Sequence, residues 1–204
     1  MNIIIDFYAS QSTSFPFGIL GSSIKATLLF FVAMIVLGLI ASGIEHLIIN
    51  IMSMVLGPGF ALIFSNYITF PGTILHELSH AAVAFLTGAK VTEIKVFELS
   101  LTALGHVSYR NRGPKLQREI QDCLTACAPV ITGTFAAGFL FDVVTNASLS
   151  TGMFVLCIYL LVCVIDHMTM SIPDIINYFK GIRGGALFVF TVNVIVFIAL
   201  GVIN

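Results

Sequence analysis

The chain has 204 residues, 58% hydrophobic and 9% charged, with nine Lys+Arg against ten Asp+Glu and a net charge of −1. A soluble domain averages about 25% charged residues, and a mean hydropathy of +1.05 leaves too little polar surface to keep a globule of this size in water. A soluble enzyme, a disordered chain and a basic nucleic-acid binder are excluded, and an all-α polytopic membrane protein is predicted.

Residues 1–23 lack the basic start of a secretory signal and carry Pro16, so they read as an interfacial arm. A bilayer core takes about 20 apolar residues per helix. Five runs of roughly that kind follow, at about 24–49, 68–86, 123–144, 152–170 and 185–203. After the second run, residues 90–99 (KVTEIKVFEL) are rich in β-branched side chains and partly alternate in polarity. With residues 106–110 (HVSYR) they predict a small membrane-associated β-hairpin over 90–110. Val96 and Phe97 on its first arm are candidate substrate contacts. The four Cys (123, 127, 157 and 163) sit in apolar stretches and read as small buried hydrophobes.

Charge sets an expected orientation. All nine basic residues flank the start of span one or fall in the loops after spans two and four, whereas residues 50–67 and 145–151 carry none. By the positive-inside rule the N-terminus is cytoplasmic and, with five alternating spans, the C-terminus lies outside, in a plasma-membrane protein. Within the spans, Asn193 and Thr191 are expected to hydrogen-bond across helices. Gly133, Gly138 and Gly152 are expected to let helices approach closely.

The second span contains His76-Glu77-Leu78-Ser79-His80, an HExxH motif. On a helix the two His, four residues apart, project from one face and can reach one zinc ion. Glu77 is then free to polarise a water. With this composition HExxH would arise by chance on the order of 0.003 times. Three titratable groups inside an apolar span are costly and need a reason. A catalytic zinc takes three protein ligands, and the chain offers several thirds. His46 and Asp142 fall at the far ends of their spans. Asp122 sits among charged residues as a solvated group, and His106 is in the strand loop. Asp166 and His167 lie inside span four. Asp174 follows Pro173 at that span's end, where the proline would loosen the helix and let a carboxylate turn back.

Residues 70–88 (FPGTILHELSHAAVAFLTG), the strand-like segment after them and Gly105-His106-Val107 resemble the site-2 protease family of intramembrane zinc metalloproteases. The resemblance continues at Ala128-Pro129 and at Ser171-Ile172-Pro173-Asp174. It implies Zn2+ held by His76, His80 and Asp174, with Glu77 as the catalytic base. Thr132 stands where the family has a substrate-contacting Asn. Asp174 is followed by Ile175 and Ile176 instead of two glycines. The implied activity is zinc-dependent endoproteolysis of a membrane-embedded peptide or single-span protein within the lipid bilayer. A non-catalytic zinc sensor or scaffold would need His76 and His80 but not Glu77. A transporter would show inverted repeats, and none is evident.

Overall fold

The computed structural model describes residues 18–96 and 105–203. The arm over 1–17 and Phe97 lie outside the described residues. The elements are α1 (Gly18–Leu56), α2 (Pro58–Ile63), a π-helical turn (Phe64–Ile68), α3 (Phe70–Leu86), β1 (Lys90–Lys95), β2 (His106–Arg110), α4 (Lys115–Asn146), α5 (Thr151–His167) and α6 (Ile172–Ile203). The fold is thus mostly helical, with one antiparallel pair of strands.

Among the described residues three helices, α1, α4 and α6, are long and apolar enough to cross a membrane. α5 is apolar but has 17 residues, about 25 Å at 1.5 Å per residue against a hydrocarbon core of about 30 Å. α3, which carries the HExxH motif, is also 17 residues long. Helix ends differ from the apolar runs. Residues 18–23, expected in the arm, already belong to α1. α4 begins at Lys115 and α6 at Ile172, and the charged turns near their starts pair with each other: Arg183 meets Glu119 at 3.0 Å and Lys180 meets Asp122 at 2.9 Å. Hydropathy alone cannot see a helical turn whose charges are matched by a neighbour.

α1 is apolar on every side, and its buried positions Ser23, Thr27, Phe31, Met34, Gly38 and Ala41 form one stripe at helical spacing. That stripe meets α4 and α6 in a core of Phe31, Met34, Cys123, Cys127, Val130 and Tyr178. Cys123, Cys127, Cys157 and Cys163 are all buried free thiols, as expected. Glycines set the closest approaches. A Cβ on Gly185 would overlap Cys123 Sγ, one on Gly72 the Cys163 carbonyl, and one on Gly133 the Met168 side chain. Gly138 and Gly152, by contrast, face open space. Asn193 does bond across helices, donating to Thr27 Oγ1 at 3.0 Å, whereas Thr191 donates to the Leu187 carbonyl of its own helix.

The sense of α6 differs from the expected fifth span. Ile35, Gly38 and Ser42 of α1 face Ile175, Tyr178 and Phe179, while Ala26, Leu29 and Phe30 face Phe188, Val192 and Asn193. Numbers fall along α1 as they rise along α6, so the two run in opposite senses. Five alternating spans would make them run alike. α6 instead continues in the direction of α5, which lies alongside α3 with Tyr159 bonded to the Ile68 carbonyl and His167 beside Thr73. The SIPD segment starts a new helix rather than reversing the chain. The N-terminal end of α1 and the C-terminal end of α6 therefore lie at the same end of the bundle.

The hairpin is joined to α3 by a tight stop. Gly88, at φ +86°, follows the last turn, and Ala89 N–H reaches back to the Ala84 carbonyl at 2.9 Å, a glycine C-cap that turns the chain straight into β1. The strands pair Lys90 with Arg110 through Lys95 with His106, with an irregularity between Val91 and Glu93. Gln121 of α4 ties both ends of this excursion down. Its amide donates to the Thr87 carbonyl at 3.1 Å and accepts from Arg112 N–H at 2.9 Å. Tyr109 of β2 is half-buried, and burial pushes its hydroxyl up to about 12, which keeps it neutral.

Candidate active site

His76 and His80 stand one turn apart on α3, and each ring is fixed by a main-chain carbonyl. His76 Nδ1–H donates to the His167 carbonyl at 2.7 Å, and His80 Nδ1–H donates to the Thr125 carbonyl at 2.8 Å. A carbonyl can only accept, so each Nδ1 carries a proton and, in the neutral rings, each Nε2 keeps a lone pair. The two Nε2 atoms face one another at 3.1 Å. Two lone pairs at that distance repel unless a cation lies where they converge.

Asp174 comes from the first turn of α6. Its Oδ2 accepts from Ser171 N–H at 2.9 Å and from Ser171 Oγ–H at 2.5 Å, which leaves Oδ1 at 3.4 Å from His80 Nε2. Ligand atoms of His76, His80 and Asp174 all lie within 4.8 Å of one another. A tetrahedral ion with bonds of about 2.0–2.1 Å holds its donors about 3.3 Å apart. The His76–His80 and His80–Asp174 separations of 3.1 and 3.4 Å match that spacing, and the two-nitrogen, one-oxygen set could hold a metal ion.

Pro173 does not loosen the end of span four. It occupies the second position of α6, where its missing N–H costs nothing, and Asp174 caps the start of that helix. The other third-ligand candidates go elsewhere. Asp166 Oδ2 accepts from Thr69 Oγ1 at 3.0 Å, and the His167 ring lies 2.9 Å from the same hydroxyl. Asp122 is buried, not solvated, because Asn111 and Lys180 both bind its carboxylate. His106 Nε2 lies 3.7 Å from Glu93 across the hairpin. His46 and Asp142 are exposed.

Glu77 is buried beside the His pair and lines a cavity of about 150 Å³ with Thr73, His76, Gly105, Asp166 and His167. Gly105 brings the hairpin to it. A Cβ there would come 2.9 Å from Glu77 Cγ and 2.7 Å from the Lys95 carbonyl. The end of β1, with half-buried Val96 next in the chain, thus abuts the carboxylate. Thr132 is half-buried and donates to the Ala128 carbonyl of its own helix at 2.9 Å. It lies two turns, about 10 Å, beyond Thr125 along α4.

A family model described as peptidase M50B-like matches residues 47–198. The chain belongs to that family. This bears out the resemblance to site-2 proteases drawn from the motifs, and the matched span contains every residue of the His76–His80–Asp174 cluster and Glu77. The family is one of membrane zinc metalloproteases, so the kind of function is that of a membrane protease. No curated protein and no solved structure matches the chain.

The carbonyls of Thr125 and His167 orient both rings, yet sequence reasoning did not find them. The His167 carbonyl leaves no signal, since every residue has one; the Thr125 carbonyl had one in Pro129, four residues on in the same helix, which has no N–H to give it. Ser171 was also missed as an orienting residue, although Ser-x-x-Asp ahead of an apolar run is a capping-box pattern that could have found it.

Proposed function

We propose that this protein is a zinc-dependent endopeptidase that cleaves membrane-embedded peptides or single-span proteins from a site inside the bilayer. The observation that carries the reading is the pair of carbonyl-anchored imidazoles whose Nε2 atoms converge beside Asp174, with Glu77 next to them. His76, His80 and Asp174 would hold the ion. Bound zinc supplies Lewis acidity toward water and the scissile carbonyl. Glu77 takes a proton from the attacking water and delivers it to the leaving nitrogen. Asp174, held by Ser171, keeps one oxygen for the site and spends the other on its cap.

A helical substrate hides its carbonyls in its own hydrogen bonds and has to be extended before attack. The exposed edge of β1 would receive an extended segment by strand addition, and the nearness of Gly105 to both Glu77 and the end of β1 supports this. Val96, Phe97 and Thr132 are the side chains proposed to meet it. The test is co-expression of candidate single-span substrates with wild type and with Glu77→Gln. Cleavage by wild type alone supports the reading. Cleavage by both, with zinc in place, overturns the mechanism. Zinc binding with no cleavage by either would favour a sensor or scaffold.

A further inference from the structure

The His167 carbonyl that fixes His76 is held in place by a polar clasp outside the ligand set. His167 is the last residue of α5. Its carbonyl therefore has no helical N–H four residues ahead and can accept from His76. The ring of the same residue lies 2.9 Å from Thr69 Oγ1, and the single proton of that hydroxyl is shared between Asp166 Oδ2 at 3.0 Å and the Ser65 carbonyl at 2.8 Å. Thr69 is the N-cap residue of α3 and is fully buried, as is Asp166 at 1% exposure. Burying a carboxylate is costly unless it holds something, and its Oδ1 has no protein partner. These groups span the ends of two elements: the start of the zinc-motif helix and the end of the helix whose carbonyl orients its first histidine.

We infer that Thr69 and Asp166 are positioning residues for the metal site. Together they lock the end of α5 to the start of α3 so that His76 Nδ1–H always finds its carbonyl and Nε2 points at the ion. The inference rests on the zinc-site reading of the previous section. Neither residue belongs to the ligand set, and both act through His167 and then His76.

The experiment measures zinc affinity of the full chain in detergent by competition with a chromogenic chelator, alongside the visible spectrum of the Co2+-loaded chain. Thr69→Val and Asp166→Leu should each weaken zinc binding by about 10–100-fold, the usual effect of losing a partner that orients a ligand, and should shift the Co2+ bands. Thr69→Ser and Asp166→Asn keep an oxygen in place and should stay within about threefold of wild type. Asn193→Val cuts the α1–α6 bond far from the site and serves as a control for general loosening; it should lower the melting temperature with zinc affinity unchanged. The inference is overturned if Thr69→Val and Asp166→Leu bind zinc as wild type does. It is equally overturned if they lose no more affinity than Asn193→Val at a matched drop in melting temperature. His76→Ala separates the two levels. Should it keep its zinc, the metal-site reading itself fails; should it lose zinc while the clasp variants do not, only the clasp fails.

Discussion

Ser171 and Asp174 cap the start of α6 reciprocally: Ser171 N–H donates to Asp174 Oδ2 at 2.9 Å, and Asp174 N–H donates to Ser171 Oγ at 3.3 Å. The same exchange orients Asp174 Oδ1 toward His80. One local motif therefore starts a helix and aims a candidate metal ligand. Ser171→Ala should cost about 1 kcal/mol of stability, the ordinary worth of an N-cap side chain. It should also weaken zinc binding without abolishing it. Thermal unfolding and chelator competition on the same preparation check both, and unchanged zinc affinity would separate the cap from the ligand.

Ligand removal should be ranked. A chain with His76, His80 and Asp174 in place should carry about one zinc equivalent, and His76→Ala or His80→Ala should lose most of it. Asp174→Ala should weaken binding more than Asp166→Ala, because Asp174 faces the lone pairs while Asp166 faces Thr69. Metal analysis of purified protein gives the order; the reverse order would move the third ligand to α5.

Glu77 should matter for turnover and not for metal. Glu77→Gln preserves shape but cannot accept the water's proton, and should slow cleavage by roughly 10²–10⁴, the usual contribution of a general base. Zinc content should remain near that of wild type. Single-turnover assays on a validated substrate, with metal analysis of the same sample, measure both quantities.

Helix packing gives a test that needs no substrate. A side chain at Gly72 would run into the Cys163 carbonyl and the His167 ring, whereas Gly43 faces open space. Gly72→Val should lower the melting temperature and release zinc, because pushing α5 away carries the His167 carbonyl off His76. Gly43→Ala should do neither. Equal behaviour of the two variants would contradict the close α3–α5 approach.

The bundle's sense is testable by labelling. Single cysteines replacing Leu20 near the start of α1 and Ile198 near the end of α6 should react with an impermeant reagent from the same side of the membrane. Labelling from opposite sides would restore the alternating five-span path and overturn the antiparallel packing of α1 against α6.

The sequence by itself determined the membrane class, because no arrangement of so apolar a chain offers water enough polar surface. It also determined the hairpin and the HExxH helix, since a period of two and a spacing of four are local properties that neighbours cannot erase. His76, Glu77 and His80 were legible for that reason. The third member of the cluster was legible mainly by resemblance. From the residues alone Asp174 was favoured by a helix-loosening Pro173 that instead sits in the first turn of α6. Asp166, His167 and Asp174 stayed open, because a carboxylate far along the chain carries no mark of what it will face. Tertiary structure separated them by sending Asp166 to Thr69 and Asp174 to His80. It alone decided the direction of α6, where matched charges on α4 extended the helix past its apolar run. It alone decided the orientation of the imidazoles too. Main-chain carbonyls set that orientation, and they reach the rings only where one helix ends against another or a neighbouring helix presents its backbone.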